Sequence, residues 1–334
     1  MTTEVTREKT ACVTGASGYL ASLLVKQLLD KGYIVNATVR DPGNQAKISH
    51  LVSLPGSERL KLFRADLTTE GSFDDSINGC DLVFHVATPV LFDSNDPENE
   101  MIKPAIQGTL NVLRSCTKTK TVKRIVLTSS AAAVSIHREQ EDDRVVTEEC
   151  WTDVEFLFSE KPPAWGYAVS KTLAEKEAWK VATENQIDLI SVVPVLISGP
   201  SLTPHVPNSS ILALSLLTGN DAGLKAMQLA SGSISLVHVE DVCRAHIFLA
   251  EKESASGRYI CCAVNTSVPE LAEFLSNRYP QYNVPTDSFG DFSSKHYTVS
   301  AEKLIKEGFT FKFKIEEIYD ESVEYFMAKG LLQK

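Results

Sequence analysis

The sequence predicts an α/β fold built on a doubly wound parallel sheet. Two patterns carry that expectation: apolar strand-length runs alternate with amphipathic helical stretches, and a glycine-rich turn joins the first run to the first helix. Strands are expected at 10–13, 34–39, 60–64, 82–86, 125–128 and 189–193. Between the first two, apolar residues at 20, 23, 24, 25, 28 and 29 form a helix-period stripe closed by Lys31-Gly32. Similar helices are expected over 99–116 and 167–184. Together these make a six-stranded sheet of the Rossmann type.

After Pro194 the rhythm changes. Ser198-Gly199-Pro200, Pro204 and Pro207 form a loop cluster, followed by a helix at 210–217 and a Gly/Ser-rich stretch over 219–233 that suits a lid or pocket wall. Regular signals return at 234–239, 242–251 and 259–262, before a part rich in aromatics and charges. The expected division is a nucleotide-binding domain of residues 1–195 plus 234–266, and a smaller, discontinuous C-terminal substrate domain of residues 196–233 plus 267–334.

Bulk composition narrows the function. With 43% hydrophobic and 23% charged residues the 334-residue chain reads as an ordinary globular protein with a large core. A net charge of −10 without a basic stripe argues against a nucleic-acid partner. No apolar run approaches the length of a membrane span, and the polar N-terminus has no apolar targeting core, so a cytoplasmic location is expected. The seven cysteines are scattered without any C-x-x-C pair, which suggests reduced thiols.

The turn Thr14-Gly15-Ala16-Ser17-Gly18-Tyr19-Leu20-Ala21 has the residues a dinucleotide pyrophosphate needs. Gly15 permits a tight turn, Gly18 permits close approach to a helix N-terminus, and small Ala21 lets helix pack on strand. Gly15, Ser17, Gly18, Tyr19 and Leu20 are therefore candidate cofactor contacts. At the end of the second strand stands Arg40, where a guanidinium suits a ribose 2′-phosphate and an acid would suit a free hydroxyl. The expected cofactor is NADPH/NADP+. Lys47 could add a second charge, Asp66 and Leu67 could meet the adenine, and Val86, Ala87, Thr88 and Pro194 end strands along the cofactor's path. His85, inside an apolar strand, reads as a core histidine.

Tyr167 and Lys171 lie four apart on one helix face. An ammonium beside a phenol draws its high pKa toward the working range and can also hold the nicotinamide ribose. Ser130, in Thr128-Ser129-Ser130 at the fifth strand end, is the candidate that orients the substrate oxygen, with Ser129 as the neighbour most easily confused with it. Tyr325 and Lys329 repeat the spacing, but without the strand-end serine they read as structural. No His or Cys grouping has metal-ligand spacing, so no metal is expected. His238-Val239-Glu240-Asp241 reads as a strand end entering a helix with an acidic first turn.

These motifs identify the chain as a member of the extended short-chain dehydrogenase/reductases. The stretches VFHVATPV (83–90), DPENEMIKPAIQGTLNVL (96–113), WGYAVSKTLAEK (165–176), HVEDVCRAHIFLAEKESASGRYICC (238–262) and IEEIYDESVEYFMAKGLLQ (315–333) resemble the plant flavonoid reductases of that family. The resemblance implies a small-molecule flavonoid substrate and NADPH-dependent reduction, foremost of anthocyanidins to epicatechin-type flavan-3-ols for proanthocyanidins, with 4-reduction of dihydroflavonols as the alternative. It also implies substrate contacts at Ser135 and Ser235, where relatives carry amide side chains, while Trp165, Phe289 and Phe292 are candidates for an apolar slot. Gly15-Ala16-Ser17-Gly18-Tyr19, Ala168-Val169 and Pro194-Val195 depart from the anthocyanidin-reducing branch, and 219–230 is shorter, which bears on substrate range and product stereochemistry. The tyrosine context of cinnamoyl-CoA reductases is absent. A different class, a catalytically silent NADP-sensing scaffold, would share the fold but has no need of an intact Ser, Tyr and Lys set. The sequence names no protein partner.

Overall fold

The computed structural model describes residues 8–91, 94–138, 144–287, 289 and 297–333. Its strands in chain order are β1 (Thr10–Val13), β2 (Ile34–Val39), β3 (Leu60–Arg64), β4 (Leu82–His85), β5 (Arg124–Thr128), β6 (Val145–Val146), β7 (Leu189–Pro194), β8 (Leu196–Ser198), β9 (Ile234–His238), β10 (Gly257–Cys261), β11 (Val264–Thr266) and β12 (Thr298–Val299). The helices are α1 (Tyr19–Asp30), α2 (Gln45–Val52), α3 (Asp74–Ile77), α4 (Lys103–Lys118), α5 (Val154–Glu160), α6 (Trp165–Glu184), α7 (Asn208–Ala213), α8 (Ser215–Thr218), α9 (Ala222–Ser231), α10 (Val239–Glu251), α11 (Val268–Arg278), α12 (Glu302–Lys306) and α13 (Ile315–Ala328).

Seven strands form one sheet in the order β10-β7-β5-β4-β1-β2-β3, every neighbouring pair parallel. A sheet covered on both faces favours continuous apolar runs. Within β1 the faces alternate: Ala11 and Val13 join the core beneath α1 and α10, whereas Cys12 joins the core beneath α4 and α6. The six expected strands are all present, and β10 adds a seventh at the edge, parallel to β7. Order reverses between β1 and β4, so the strand ends around that point open a crevice on the C-terminal edge. Gly15, Val86, Ser129 and Val195 follow β1, β4, β5 and β7 at that edge.

A second core cluster brings together Leu217 of α8, Leu236 of β9, Leu271 of α11 and Tyr319 and Phe326 of α13. Here β9 pairs with β8 and β11 in a separate small sheet, and β12 pairs with β6. Within the stretch expected to form a lid or pocket wall, residues 222–231 are the helix α9. In α9, Leu224 and Gln228 are buried one turn apart, and the Gln228 side-chain oxygen accepts the Val268 N–H at the start of α11. These contacts fix in place a segment whose Ala, Leu, Lys, Met and Gln residues already favour a helix. Among the described residues no helix is long and apolar enough to cross a membrane.

Candidate functional site

The turn after β1 is held by its neighbours. Gly15 has φ +66°, and a Cβ there would lie 2.9 Å from the Ala87 Cβ, so the backbones of the β1 and β4 ends meet closely only because position 15 is glycine. Thr14 fixes the junction: its Oγ1 accepts the N–H groups of Val86 and Ala87, each at 3.0 Å. Helix α1 opens on Gly18 without a side-chain cap, and its first helical bond runs from Ser22 N–H to Gly18 O. The preceding N–H groups of Tyr19, Leu20 and Ala21 face outward along the axis, the donor set a pyrophosphate requires. This cradle fits the cofactor expected from the sequence.

Around it, Ser17 lies partly buried in the turn, while Arg40 and Lys47 are exposed after β2 and on α2. Asp66, after β3, uses one carboxylate oxygen to accept from Thr68 N–H and Oγ, which holds its carboxyl below the usual range. The Leu67 carbonyl accepts from Asn111. Thr88 is partly buried, and Pro194 is buried at the end of β7. The Tyr19 hydroxyl donates to the Gly199 carbonyl at 2.9 Å, which ties α1 to the loop after β8. His85 bridges Thr14 and Thr109 through its two ring nitrogens, and burial pushes it down to about 3, so it is a neutral core histidine.

At the β5 end the two adjacent serines separate. Ser129 Oγ donates to the Glu175 carboxylate at 2.5 Å, whereas Ser130 caps the short turn Ala131–Ala133 and hydrogen-bonds the Tyr167 hydroxyl. Extended backbone at this strand end alternates their directions. Burial pushes the Tyr167 phenol up, against the bond from Ser130. Lys171 donates to the Thr128 carbonyl at 2.7 Å, and burial draws its ammonium down to about 8, opposed by the charge of Glu175. The expected lowering of Tyr167 by Lys171 is replaced by a bond from Ser130, because the ammonium is directed at the strand end.

The N-terminus of α6 approaches the 97–101 turn because residue 166 is glycine: a Cβ there would lie 2.5 Å from Pro97. A cleft of about 60 Å³ beside it is bordered by Tyr167, Trp165, Met101 and Leu91. Ser135 is buried after the Ala131–Ala133 turn, and Ser235 Oγ donates to Asn265 at 2.9 Å. Neither serine borders that cleft. Phe289 belongs to the second core cluster, and Phe292 lies outside the described residues. Tyr325 lies on α13 with Lys329 at its C-terminal end, where Lys329 reaches the Pro204 carbonyl and lies over the Tyr325 ring. His238 caps α10 by accepting the Glu240 N–H, stacked on Phe313. Sequence reasoning missed Glu175 and Arg258, since a helix glutamate and a strand arginine normally signal exposed faces; here Arg258 grips both Glu175 oxygens at 2.8 and 3.0 Å.

Residues 11–262 match the NAD dependent epimerase/dehydratase family. The chain is similar to an anthocyanidin reductase ((2S)-flavan-3-ol-forming) of Vitis vinifera, 67% identical over 98% of this chain and 97% of that one. It is 48% identical to a dihydroflavonol 4-reductase of Arabidopsis thaliana, over 98% of this chain and 85% of that one. Among solved structures, vestitone reductase from alfalfa aligns with a TM-score of 0.84 at 36% identity, covering 97% of this chain and 100% of that chain. A yeast methylglyoxal/isovaleraldehyde reductase complexed with NADPH aligns at 0.82 and 26%, with the same coverage.

Proposed function

This chain belongs to the NAD dependent epimerase/dehydratase family, and from that membership we propose that it is an NADPH-dependent anthocyanidin reductase yielding epicatechin-type flavan-3-ols. One observation carries the substrate assignment: identity to the anthocyanidin reductase is 67% against 48% for the dihydroflavonol 4-reductase, at equal coverage of this chain.

When bound, NADPH would supply hydride to electrophilic flavonoid carbons, and the conversion of an anthocyanidin cation to a flavan-3-ol takes two such hydrides, hence two NADPH, and one proton. In our reading the turn from Gly15 to Leu20 holds the pyrophosphate, Arg40 with Lys47 takes the 2′-phosphate, and Asp66 and Leu67 meet the adenine. Val86, Ala87, Thr88 and Pro194 wall the path to the reacting end. Tyr167 then holds and exchanges a proton at its hydroxyl, Ser130 orients that hydroxyl and a substrate oxygen, and Lys171 fixes the ribose and the local charge. A phenol raised by burial is protonated at neutral pH, which suits a proton donor in reduction. The smaller unit, 196–233 with 267–334, is the proposed substrate side, with Ser135 and Ser235 as its polar contacts. A cytoplasmic setting is part of the proposal, supported by free and mostly buried thiols.

The test is incubation with NADPH and, separately, cyanidin, dihydroquercetin or a cinnamoyl thioester, followed by chiral analysis. Cyanidin should be consumed to a flavan-3-ol with oxidation of NADPH. Faster turnover of dihydroquercetin would overturn the substrate assignment, and tight NADPH binding without oxidation would favour the sensing scaffold.

A further inference from the structure

Behind Lys171 lies a buried ionic assembly that the proposed chemistry does not use. Glu175, one helical turn after Lys171 on α6, is almost fully buried. Its carboxylate takes a forked pair of bonds from Arg258 of β10, a third from Ser129 of β5 and a longer one from the Trp179 indole N–H. Arg258 is itself held by the carbonyls of Glu148 and Cys150, each at 2.7 Å, and its guanidinium lies 3.7 Å from the Trp151 ring centroid. Both partners are thus fixed by other elements, and the pair spans helix, sheet edge and the β5 end.

Glu175 and Lys171 border the same cavity of about 10 Å³, together with Ser129, Thr128, Thr109 and His85. That is room for about one water among several polar groups. The titratable groups around Lys171 are Tyr167 and Glu175 from α6, His85 from β4, His246 from α10 through its bond to Thr128, and Arg258 from β10 through Glu175. Of these, Glu175 is the acid, and the two histidines are held neutral by burial.

We propose that Glu175, clamped by Arg258 and Ser129, is a positioning residue for the Tyr167 and Lys171 pair. It keeps a fixed negative charge behind the ammonium and locks the helix carrying both groups to the strand end that carries Ser130. The proposal rests on the catalytic roles given above. Arg258 limits how much of that charge Lys171 experiences, so removing the acid and removing the base act on Lys171 with opposite sign.

The experiment measures kcat for cyanidin and NADPH affinity by fluorescence, both against pH, for wild type, Glu175→Gln and Arg258→Gln, with thermal melts alongside. Glu175→Gln should move the alkaline limb of both profiles down by about one pH unit, and Arg258→Gln should move it up. A merely structural pair predicts lower melting temperatures with both limbs unmoved or displaced the same way, and that result overturns the proposal. Should either single variant fail to fold, the Glu175→Gln/Arg258→Gln double variant leaves no unpaired charge, and because the two removals oppose each other and Glu175 is the nearer charge, its limb should move down by less than in Glu175→Gln; an unmoved or raised limb there overturns the proposal. Wild-type inactivity toward cyanidin would sink the substrate assignment alone, since the NADPH-binding limb still reports on Glu175.

Discussion

Ser129 and Ser130 are adjacent, chemically identical and both buried, yet one hydroxyl meets Glu175 and the other Tyr167. Their types and position were legible in sequence; the division of labour depended on which side of the strand end each faces. At this scale Tyr167→Phe is expected to lower kcat by roughly 10²- to 10⁴-fold while leaving NADPH affinity intact, as read by single-turnover kinetics and fluorescence titration. Arg40 is exposed at the end of β2, so Arg40→Glu should weaken NADPH by roughly 10- to 100-fold and NADH far less. Equal losses for the two cofactors would remove the 2′-phosphate assignment.

Elements show where local pattern suffices and where it does not. Strands β1 and β2 begin and end where the apolar runs do, since strands buried on both faces have little freedom in register. Helix α9 consists mostly of good helix formers, and what its sequence could not show is that Leu224 and Gln228 are buried against distant elements. The tight turn into α1 supplies a test at this scale. Gly15→Ala would place a side chain at φ +66° against Ala87, costing about 1–2 kcal/mol in backbone strain alone. The expected outcome is a lower melting temperature together with weakened NADPH binding, measured by calorimetry with and without the cofactor.

For the whole molecule, pH reads out burial. Lys171 titrates near 8, so its cation is lost as pH rises through that value, and kcat is expected to fall on the alkaline side there rather than near the ordinary lysine value. His85, His238 and His246 are held neutral, at about 3, 4 and 4. Their folded values lie below the unfolded value near 6.5, so the stability they contribute is complete above pH 6.5. It drains as pH falls from there toward 4, because the unfolded chain gains protons that the folded one refuses. Each contributes about 1.4 kcal/mol per pH unit within that window. Denaturant melts between pH 7 and pH 4.5 should show a steep loss, and replacing His246 by glutamine should flatten it.

The places of the strands along the chain, the glycine turn, the arginine after β2 and the Tyr-to-Lys spacing belong to the sequence by itself, because each depends on neighbours within a few residues. Periodicity, a tight turn and a one-turn helix spacing are local properties. The tertiary structure alone decided that Ser130 meets Tyr167, that Lys171 turns to the Thr128 carbonyl, and that Arg258 reaches across 83 residues to seal Glu175 behind the site. Those relations depend on which strands become neighbours, and that is settled by burying apolar surface over the whole chain, not by any one segment.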